Sequence, residues 1–220
     1  MSEAWKAVDA YIGDHLLGHD DALEAALAAN EAGGLPAIDV SAAQGKMLQL
    51  YARMVGAKRI LEVGTLGGYS TIWLGRALPE GGKLITLELE PHHADVARSN
   101  LARAALADCC EVRTGLAIDS LNAMIARGER PFDLVFIDAD KRGNVEYVHA
   151  AIALSRPGTA IVVDNVVREG DILNPDTADE KVIGTQRLFA MLANEPRLDC
   201  TAVQTVGAKK WDGFVLALVR

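Results

Sequence analysis

Two apolar segments of the sequence end in oxygen-bearing side chains that could bind a metal ion. Residues 132–137 are followed by Asp138, and residues 160–163 are followed by Asp164 and Asn165. If both segments are neighbouring parallel strands, their carboxyl ends lie at one edge of a sheet, about 4.8 Å apart. An all-oxygen set without His or Cys favours a hard cation. Mg²⁺ is the first candidate, and Mn²⁺ and Ca²⁺ are alternatives.

A lysine follows this candidate metal site. Lys141 is three residues beyond Asp138, so its ammonium could lie near both metal and substrate. Cationic surroundings and burial lower the pKa of a lysine, which would make Lys141 available as a base. Two structural interpretations remain open. Asp138 and Asp164 could cap helices or turns, and Lys141 could be a surface residue paired with Asp140.

A glycine-rich turn follows another short apolar segment, which ends in Glu62. Gly64, Gly67 and Gly68 allow positive φ angles and close approach of a ligand to the backbone. A helical pattern begins at about Tyr69, so the stretch predicts the first strand–turn–helix unit of an open α/β sheet. Ligands of such sheets bind outside the carboxyl ends of the strands, and we therefore expect Glu62 to face a ligand.

The glycine spacing differs from the dinucleotide fingerprint, in which a pyrophosphate lies at a helix N-terminus. An acid before the turn would repel a pyrophosphate, but it would suit a cationic group such as the amino acid portion of S-adenosylmethionine. Glu88 ends the next apolar segment, about 20 residues later, where an acid is placed to bind ribose hydroxyls. Glu90 is the competing candidate. An ordinary βα turn and a solvated strand end are the structural alternatives.

Composition and charge restrict the class of protein. A chain of 220 residues is long enough for one domain with a sizeable core. The formal net charge of −8 argues against nucleic acid as the main partner. Three cysteines form neither a disulfide framework nor a zinc spacing. Since we find neither a signal peptide nor an apolar run of transmembrane length, we expect a cytoplasmic protein without a membrane partner.

From residue 58 onward, strand and helix patterns alternate, which predicts a doubly wound α/β fold with a mostly parallel sheet of seven strands. We treat residues 1–220 as one domain, in which 1–57 are extra helices that cap the site or form a dimer interface and 58–220 form the sheet core. Ser41 is a good N-cap for the last of those helices. The expected parallel strands are 60–63, 83–88, 110–113, 132–137 and 160–163, and an antiparallel hairpin is expected from 198–205 and 213–219.

With these motifs in place, the sequence resembles the cation-dependent class I O-methyltransferases, a family that contains the catechol and caffeoyl-CoA O-methyltransferases. The resemblance runs from about residue 38 to the C-terminus. It depends on residues 61–65, 68–70, 88, 136–141, 163–166 and 211–214. The last of these is similar to the family's Gly-Asp-Gly turn before the final strand.

The resemblance implies a Rossmann-like methyltransferase fold, a homodimer and a role for each matching residue. Glu62 would hold the amino group of S-adenosylmethionine, and Glu88 would bind the ribose hydroxyls. Lys141 would be the catalytic base. The metal ligands would be Asp138, Asp164 and Asn165. The other cofactor contacts would be Val40, Gly64, Thr65 and Ser70 at the methionine end, Ala117 at the adenine, and Asp138 and Asp140 nearby.

The implied reaction is methyl transfer to a small phenolic acceptor of the catechol type, which the metal would chelate through two vicinal oxygens. The chain departs from the family pattern at two places. Gly115-Leu116-Ala117 stands where many members have Gly-Asp-Ala, and Arg142-Gly143-Asn144-Val145 replaces the usual Asn-Tyr after the lysine. The second departure borders the acceptor site and leaves the acceptor open. A metal-independent methyltransferase and a non-catalytic nucleotide-binding protein remain alternative interpretations.

Overall fold

A computed structural model describes residues 2–220 and contains a seven-stranded sheet with the order β3-β2-β1-β4-β5-β7-β6. The first five strands are parallel, and β7 pairs antiparallel with both β5 and β6. The predicted fold class is therefore confirmed. The strands are β1 Arg59–Val63, β2 Lys83–Glu88, β3 Cys110–Thr114, β4 Leu134–Ile137, β5 Ala160–Asp164, β6 Leu198–Gly207 and β7 Lys210–Val219.

The α-helices flank the sheet on both faces and add an N-terminal group. They are α1 Ser2–Ile12, α2 Asp21–Ala32, α3 Ala42–Met54, α4 Tyr69–Gly75, α5 Pro91–Arg103, α6 Ala117–Ala126, α7 Asn144–Ala153 and α8 Glu180–Leu192. As expected, Ser41 caps α3: its Oγ accepts a hydrogen bond from the N–H of Gln44. Short 3₁₀ segments at Lys141–Gly143 and Arg168–Leu173 follow β4 and β5. No helix in the part of the chain that the structure describes is long and apolar enough to cross a membrane.

The sheet is buried on both faces, because successive side chains of a strand point to opposite sides. In β1, Leu61 and Val63 join one apolar cluster, which α6, α7 and α8 cover. Ile60 joins the other cluster, which α3, α4 and α5 cover. Glu62 points to the same face as Ile60, so this acid is directed beneath α4.

The C-terminal hairpin is longer than the sequence predicts. Residues 211–214 do not form a turn before the last strand: they lie within β7, where Gly213 pairs with Gln204 of β6. The chain reverses at Ala208 and Lys209. The start of β7 was not predicted because its residues are polar. One of them, Asp212, has a structural role. Its Oδ1 accepts hydrogen bonds from the backbone N–H groups of Val167 and Arg168.

The N-terminal helices pack near the glycine turn and the hairpin. Helix α2 contacts α4 and α5, and α3 contacts α4. Helix α1 contacts the hairpin, where Asp9 Oδ2 accepts a hydrogen bond of 2.7 Å from the N–H of Ala208. The helices therefore border the carboxyl edge of the sheet, where the candidate site lies.

Candidate active site

A cavity of about 520 Å³ lies at the carboxyl ends of β1, β2, β4 and β5. A larger cavity, about 650 Å³, lies at the β3 edge, but none of the predicted site residues lines it. All of the predicted site residues except Glu62 and Asp164 line the 520 Å³ cavity. They are Val40, Gly64, Thr65, Ser70, Glu88, Ala117, Asp138, Asp140, Lys141 and Asn165.

Glu62 does not face the cavity as the sequence led us to expect. Its side chain is fully buried beneath α4, where Oε1 accepts a hydrogen bond of 2.6 Å from Ser70 Oγ and Oε2 accepts one of 2.5 Å from Thr71 Oγ1. Burial raises the pKa of Glu62 to about 7, although the hydroxyl hydrogen bonds oppose this shift. Ser70, and not Glu62, is the member of this group that reaches the cavity.

The glycine turn between β1 and α4 is held from behind by two buried asparagines. Asn100 Nδ2 donates to the carbonyl oxygen of Gly67 at 2.8 Å and to Asn30 Oδ1 at 3.1 Å. A Cβ at position 67 would overlap Asn30 Oδ1, so glycine is required there by close packing. Gly68 is required by its φ of 84°, in the left-handed region. The turn is thus held by hydrogen bonds and close packing within the protein.

Glu88 joins the glycine turn to the end of β2. Its Oε2 accepts hydrogen bonds from the backbone N–H groups of Thr65 at 3.2 Å and Leu66 at 2.7 Å. Its Oε1 accepts one of 2.9 Å from the N–H of Glu90. Glu88 is the last residue of β2 and lines the cavity, whereas Glu90 lies beyond the strand and precedes α5. Of the two acids, Glu88 is therefore fixed more firmly at the strand end.

The ends of β4 and β5 bring together the residues predicted to bind metal. Ile137 pairs with Val163, so Asp138 and Asp164 follow neighbouring positions of the sheet. Asp164 is buried, and burial, together with the charge of Asp138, raises its pKa to about 7. Asn165 has a left-handed φ of 57° and lines the cavity.

Lys141 is buried in the 3₁₀ turn after β4. Its Nζ donates a hydrogen bond of 2.8 Å to Asp138 Oδ1. Lys141 is thus neither a surface residue nor the partner of Asp140. Asp140 instead caps the turn, accepting hydrogen bonds from the N–H of Gly143 and from the hydroxyl of Tyr147. These contacts place a primary amine beside the acid that ends β4.

The donor set fits a hard divalent cation. Within residues 2–220, no group of three or more His, Cys, Asp and Glu side chains could hold a metal ion. The predicted metal ligands include only two carboxylates, Asp138 and Asp164. The third ligand is the amide of Asn165. Two acids and one amide suit Mg²⁺, which takes few protein ligands and keeps positions for water or substrate. Burial is the main cause of the raised pKa of Asp164, and the charge of the nearby Asp138 carboxylate adds to it.

Comparison of the sequence with models of protein families identifies the family of this chain. A family model described as O-methyltransferase matches residues 20–218, nearly the whole chain. This chain belongs to the O-methyltransferase family. The family and the enzyme class predicted from the sequence, an S-adenosylmethionine-dependent O-methyltransferase, are therefore confirmed.

Individual members of the family are similar over their full length. A catechol O-methyltransferase of Mycobacterium tuberculosis (strain ATCC 25618 / H37Rv) is 54% identical over 213 residues, covering 97% of this chain and 95% of that protein. A catechol O-methyltransferase of Niastella koreensis is 50% identical over 219 residues, covering 100% and 99%. The solved structure of an O-methyltransferase from Bacillus cereus in complex with SAH has a TM-score of 0.98 and 53% identity, and the match covers 100% of both chains.

Several residues of this O-methyltransferase site were not identified from the sequence pattern. Gln44 contacts Asp164 from a helix 120 positions away, and a helical repeat alone does not show which strand a helix covers. Tyr147 reads as an ordinary core aromatic, although its hydroxyl binds Asp140. Arg168 lines the cavity from the loop after β5. Its position three residues beyond Asn165 is the one sequence cue that could have identified it.

Proposed function

We propose that this O-methyltransferase transfers the methyl group of S-adenosylmethionine to one oxygen of a small catechol-like acceptor, in a reaction that needs a divalent metal. The observation that carries the proposal is the hydrogen bond of 2.8 Å between Lys141 and Asp138, beside Asp164 and Asn165, at a cavity that the glycine turn also lines. The relatives named catechol O-methyltransferase support the acceptor class, and the SAH complex of the Bacillus cereus structure supports the cofactor.

The cofactor side of the cavity would be formed by the ends of β1 and β2. We assign the ribose hydroxyls to Glu88 and the adenine to Ala117. The methionine end would contact Val40, Gly64, Thr65 and Ser70, with Asp138 and Asp140 nearby. Since Glu62 is covered, we assign it a positioning role: it accepts the hydrogen bond of the Ser70 hydroxyl and would hold Ser70 Oγ in one position at the cavity wall.

The metal side would be formed by the ends of β4 and β5, with Asp138, Asp164 and Asn165 as ligands of Mg²⁺. A bound divalent cation supplies Lewis acidity, which lowers the pKa of a chelated hydroxyl and orients it. Gln44 holds Asp164 Oδ2, and the backbone N–H of Asn165 holds Oδ1, so this carboxylate is oriented by the protein.

Lys141, in its neutral form, would accept the proton of the attacking hydroxyl. The phenolate oxygen forms a bond to the methyl carbon as the bond from that carbon to the sulfonium sulfur breaks. The products are the methyl ether, neutral S-adenosylhomocysteine and a protonated Lys141, so charge is conserved. The residues that line the cavity align the two reactants, and such positioning supplies much of the rate.

Transfer of a labelled methyl group to a panel of catechols tests the proposal. Activity should require Mg²⁺ or Mn²⁺, disappear with a chelator and return when metal is added in excess. Asp164→Ala should abolish transfer and leave the affinity for S-adenosylhomocysteine nearly unchanged. Full activity in the presence of the chelator would support a metal-independent methyltransferase instead, with Asp138 and Asp164 as structural caps.

We also propose a homodimer, as the apolar N-terminal helices suggest. Val8 is 56% exposed, Tyr11 is 64% exposed and Leu16 is 74% exposed, more apolar surface than a solvated helix needs. Light scattering at micromolar concentration should give twice the chain mass, and a monomer mass would refute this part of the proposal.

A further inference from the structure

The loop after β5 places a cationic side chain in the cavity without an anionic partner. Arg168 lines the cavity, and its Nε atom is buried without a hydrogen-bond partner among the described residues. A buried donor that has no acceptor costs free energy, so such groups in native proteins need an explanation. A ligand that supplies the acceptor would be one.

The backbone of this loop is held in a strained conformation. Arg168 has a φ of 56° and Glu169 a φ of 54°, both in the left-handed region that non-glycine residues rarely adopt. Asp212 holds the loop by accepting hydrogen bonds from the N–H groups of Val167 and Arg168. Gly170 packs closely against the ring of Trp211. Strain that is maintained by the surrounding structure is typical of functional segments.

Two acidic side chains near the loop pair with other cations. Glu169 pairs with Lys210 at 3.0 Å, and Glu180 pairs with Arg142 at 2.7 Å. Asp212 is committed to backbone N–H groups. Within residues 2–220, Arg168 forms no ion pair, and neither does Lys181, which lines the same cavity from the first turn of α8. Neither of these two cations in the cavity therefore has a carboxylate partner among the described residues.

Four other acids in or beside the cavity each have their own partner. Asp138 binds Lys141, and Asp140 binds Tyr147. Asp164 is held by Gln44, and Asp39 is held by Asn30. None of these contacts involves Arg168.

The order of the strands separates Arg168 from the ribose end of the cofactor site. Glu88 ends β2 and Arg168 follows β5, and these strands are three positions apart in the sheet. Three strand spacings correspond to about 14 Å. Arg168 follows the strand that carries Asp164 and Asn165, so it lies on the side of the cavity where the acceptor would bind.

From these observations we infer that the acceptor carries an anionic substituent, a carboxylate on or near the catechol ring, which Arg168 binds and Lys181 attracts. This inference rests on the proposed function, since it names the acceptor of that same reaction. Arginine suits the role because its planar guanidinium donates two parallel hydrogen bonds to a carboxylate. Catechols with an ammonium group would be disfavoured, because their charge has the same sign as the loop.

Three acceptors of nearly equal size test the inference: 3,4-dihydroxybenzoate, 4-methylcatechol and 3,4-dihydroxybenzylamine. The wild-type enzyme should have the highest kcat/KM for the benzoate and the lowest for the amine. Arg168→Gln should raise KM for the benzoate about tenfold, the effect of losing hydrogen bonds to a charged group. It should raise KM for 4-methylcatechol much less than KM for the benzoate, so the ratio of kcat/KM for the benzoate to kcat/KM for 4-methylcatechol should fall several-fold.

Two further variants complete the design. Arg168→Lys keeps the charge and should recover part of the preference for the benzoate. Arg187→Gln removes an exposed arginine of the same helix that carries Lys181, outside the cavity, and should keep the wild-type preference.

The outcomes separate this inference from the function on which it rests. Methylation of 4-methylcatechol without any preference for the benzoate would overturn the inference and leave the proposed function intact. An equal loss on all three acceptors in Arg168→Gln would also overturn it, because Arg168 would then act only on the structure of the loop. If none of the three were methylated, with or without Mg²⁺, the proposed function would fail and this inference with it.

Discussion

Gln44 Nε2 donates a hydrogen bond of 2.7 Å to Asp164 Oδ2, which joins the first turn of α3 to the carboxyl end of β5 across 120 positions of sequence. The other oxygen of Asp164 accepts a hydrogen bond of 2.9 Å from the N–H of Asn165. Both carboxylate oxygens are thus oriented by the protein. Hydrogen bonds of this kind hold metal-binding carboxylates in place. Mutation of the residues that form them lowers metal affinity or activity.

Gln44→Ala should therefore raise the Mg²⁺ concentration that activity requires without lowering the affinity for the cofactor. Loss of an orienting hydrogen bond typically costs 10- to 100-fold in metal affinity or activity, so we expect the Mg²⁺ concentration for half-maximal activity to rise at least about tenfold. Calorimetry with S-adenosylhomocysteine serves as the control and should give the wild-type affinity. An unchanged Mg²⁺ dependence would show that Gln44 only packs α3 against the sheet.

Lys141→Ala should slow methyl transfer at neutral pH, because it removes the group that would accept the proton of the acceptor. Part of the lost rate should return as the pH is raised and the acceptor ionises without help. The measurement is kcat from neutral pH up to the limit of protein stability, and the affinity for S-adenosylhomocysteine is the control. A constant ratio of wild-type to variant kcat across that range would exclude Lys141 as the base.

The placement of Asp138, Asp164 and Lys141 could be predicted because it follows from local sequence and sheet geometry. Apolar runs that end in acids predict parallel strands, and the carboxyl ends of parallel strands lie at one edge. The burial of Glu62 could not be predicted in the same way. Alternation along β1 decides its face, but only the packing of α4 shows that Ser70 and Thr71 cover it.

The fold prediction also failed where contacts between distant segments decide the structure. Four of the five parallel strands are mostly apolar and buried, and the positions of all five were predicted to within two residues. The start of β7 was missed because Lys210, Trp211 and Asp212 do not resemble a buried strand. They pair with β6 at an edge where polar side chains are tolerated, and Asp212 accepts a hydrogen bond from the backbone of the loop that contains Arg168. Such contacts between distant segments leave no periodic pattern.

Glu62→Gln should change how the stability depends on pH. The pKa of Glu62 is raised from its ordinary value of 4.5 to about 7 in the folded protein. Between these values the unfolded chain releases the proton while the folded protein keeps it, so this residue lowers stability as the pH rises through that window. A shift of this size corresponds to about 3 kcal/mol. The glutamine variant lacks the ionisation and should lose less stability between pH 4.5 and 7.

The measurement is the free energy of unfolding in urea at several pH values. Any constant difference between the two proteins reflects the altered hydrogen bonds to Ser70 and Thr71, so only the change of the difference with pH tests the prediction. Glu80→Gln, which replaces an exposed acid in the loop before β2, is the matched control. Parallel curves for wild type and Glu62→Gln would contradict a raised pKa.

Gly67→Ala should disturb the glycine turn through one identifiable clash. An added Cβ would overlap Asn30 Oδ1, and because Asn30 is buried and bonded to both Asp39 and Asn100, it has little freedom to move. Overpacking of this kind typically costs about 1–3 kcal/mol of stability. Since the turn lines the cofactor side of the cavity, the affinity for S-adenosylhomocysteine should fall as well.

A double-mutant cycle with Asn30→Ala separates the clash from other effects of the alanine. Asn30→Ala alone should destabilise the protein, because it breaks the buried hydrogen bonds to Asp39 and Asn100. In the double variant the added methyl group enters the space that the carboxamide leaves. The combined loss of unfolding free energy should therefore be smaller than the sum of the single losses, by about 0.5–3 kcal/mol for residues in direct contact. Strict additivity would mean that the clash with Asn30 does not cause the loss in Gly67→Ala, and the contact with Asn30 would then have no part in shaping the cofactor site.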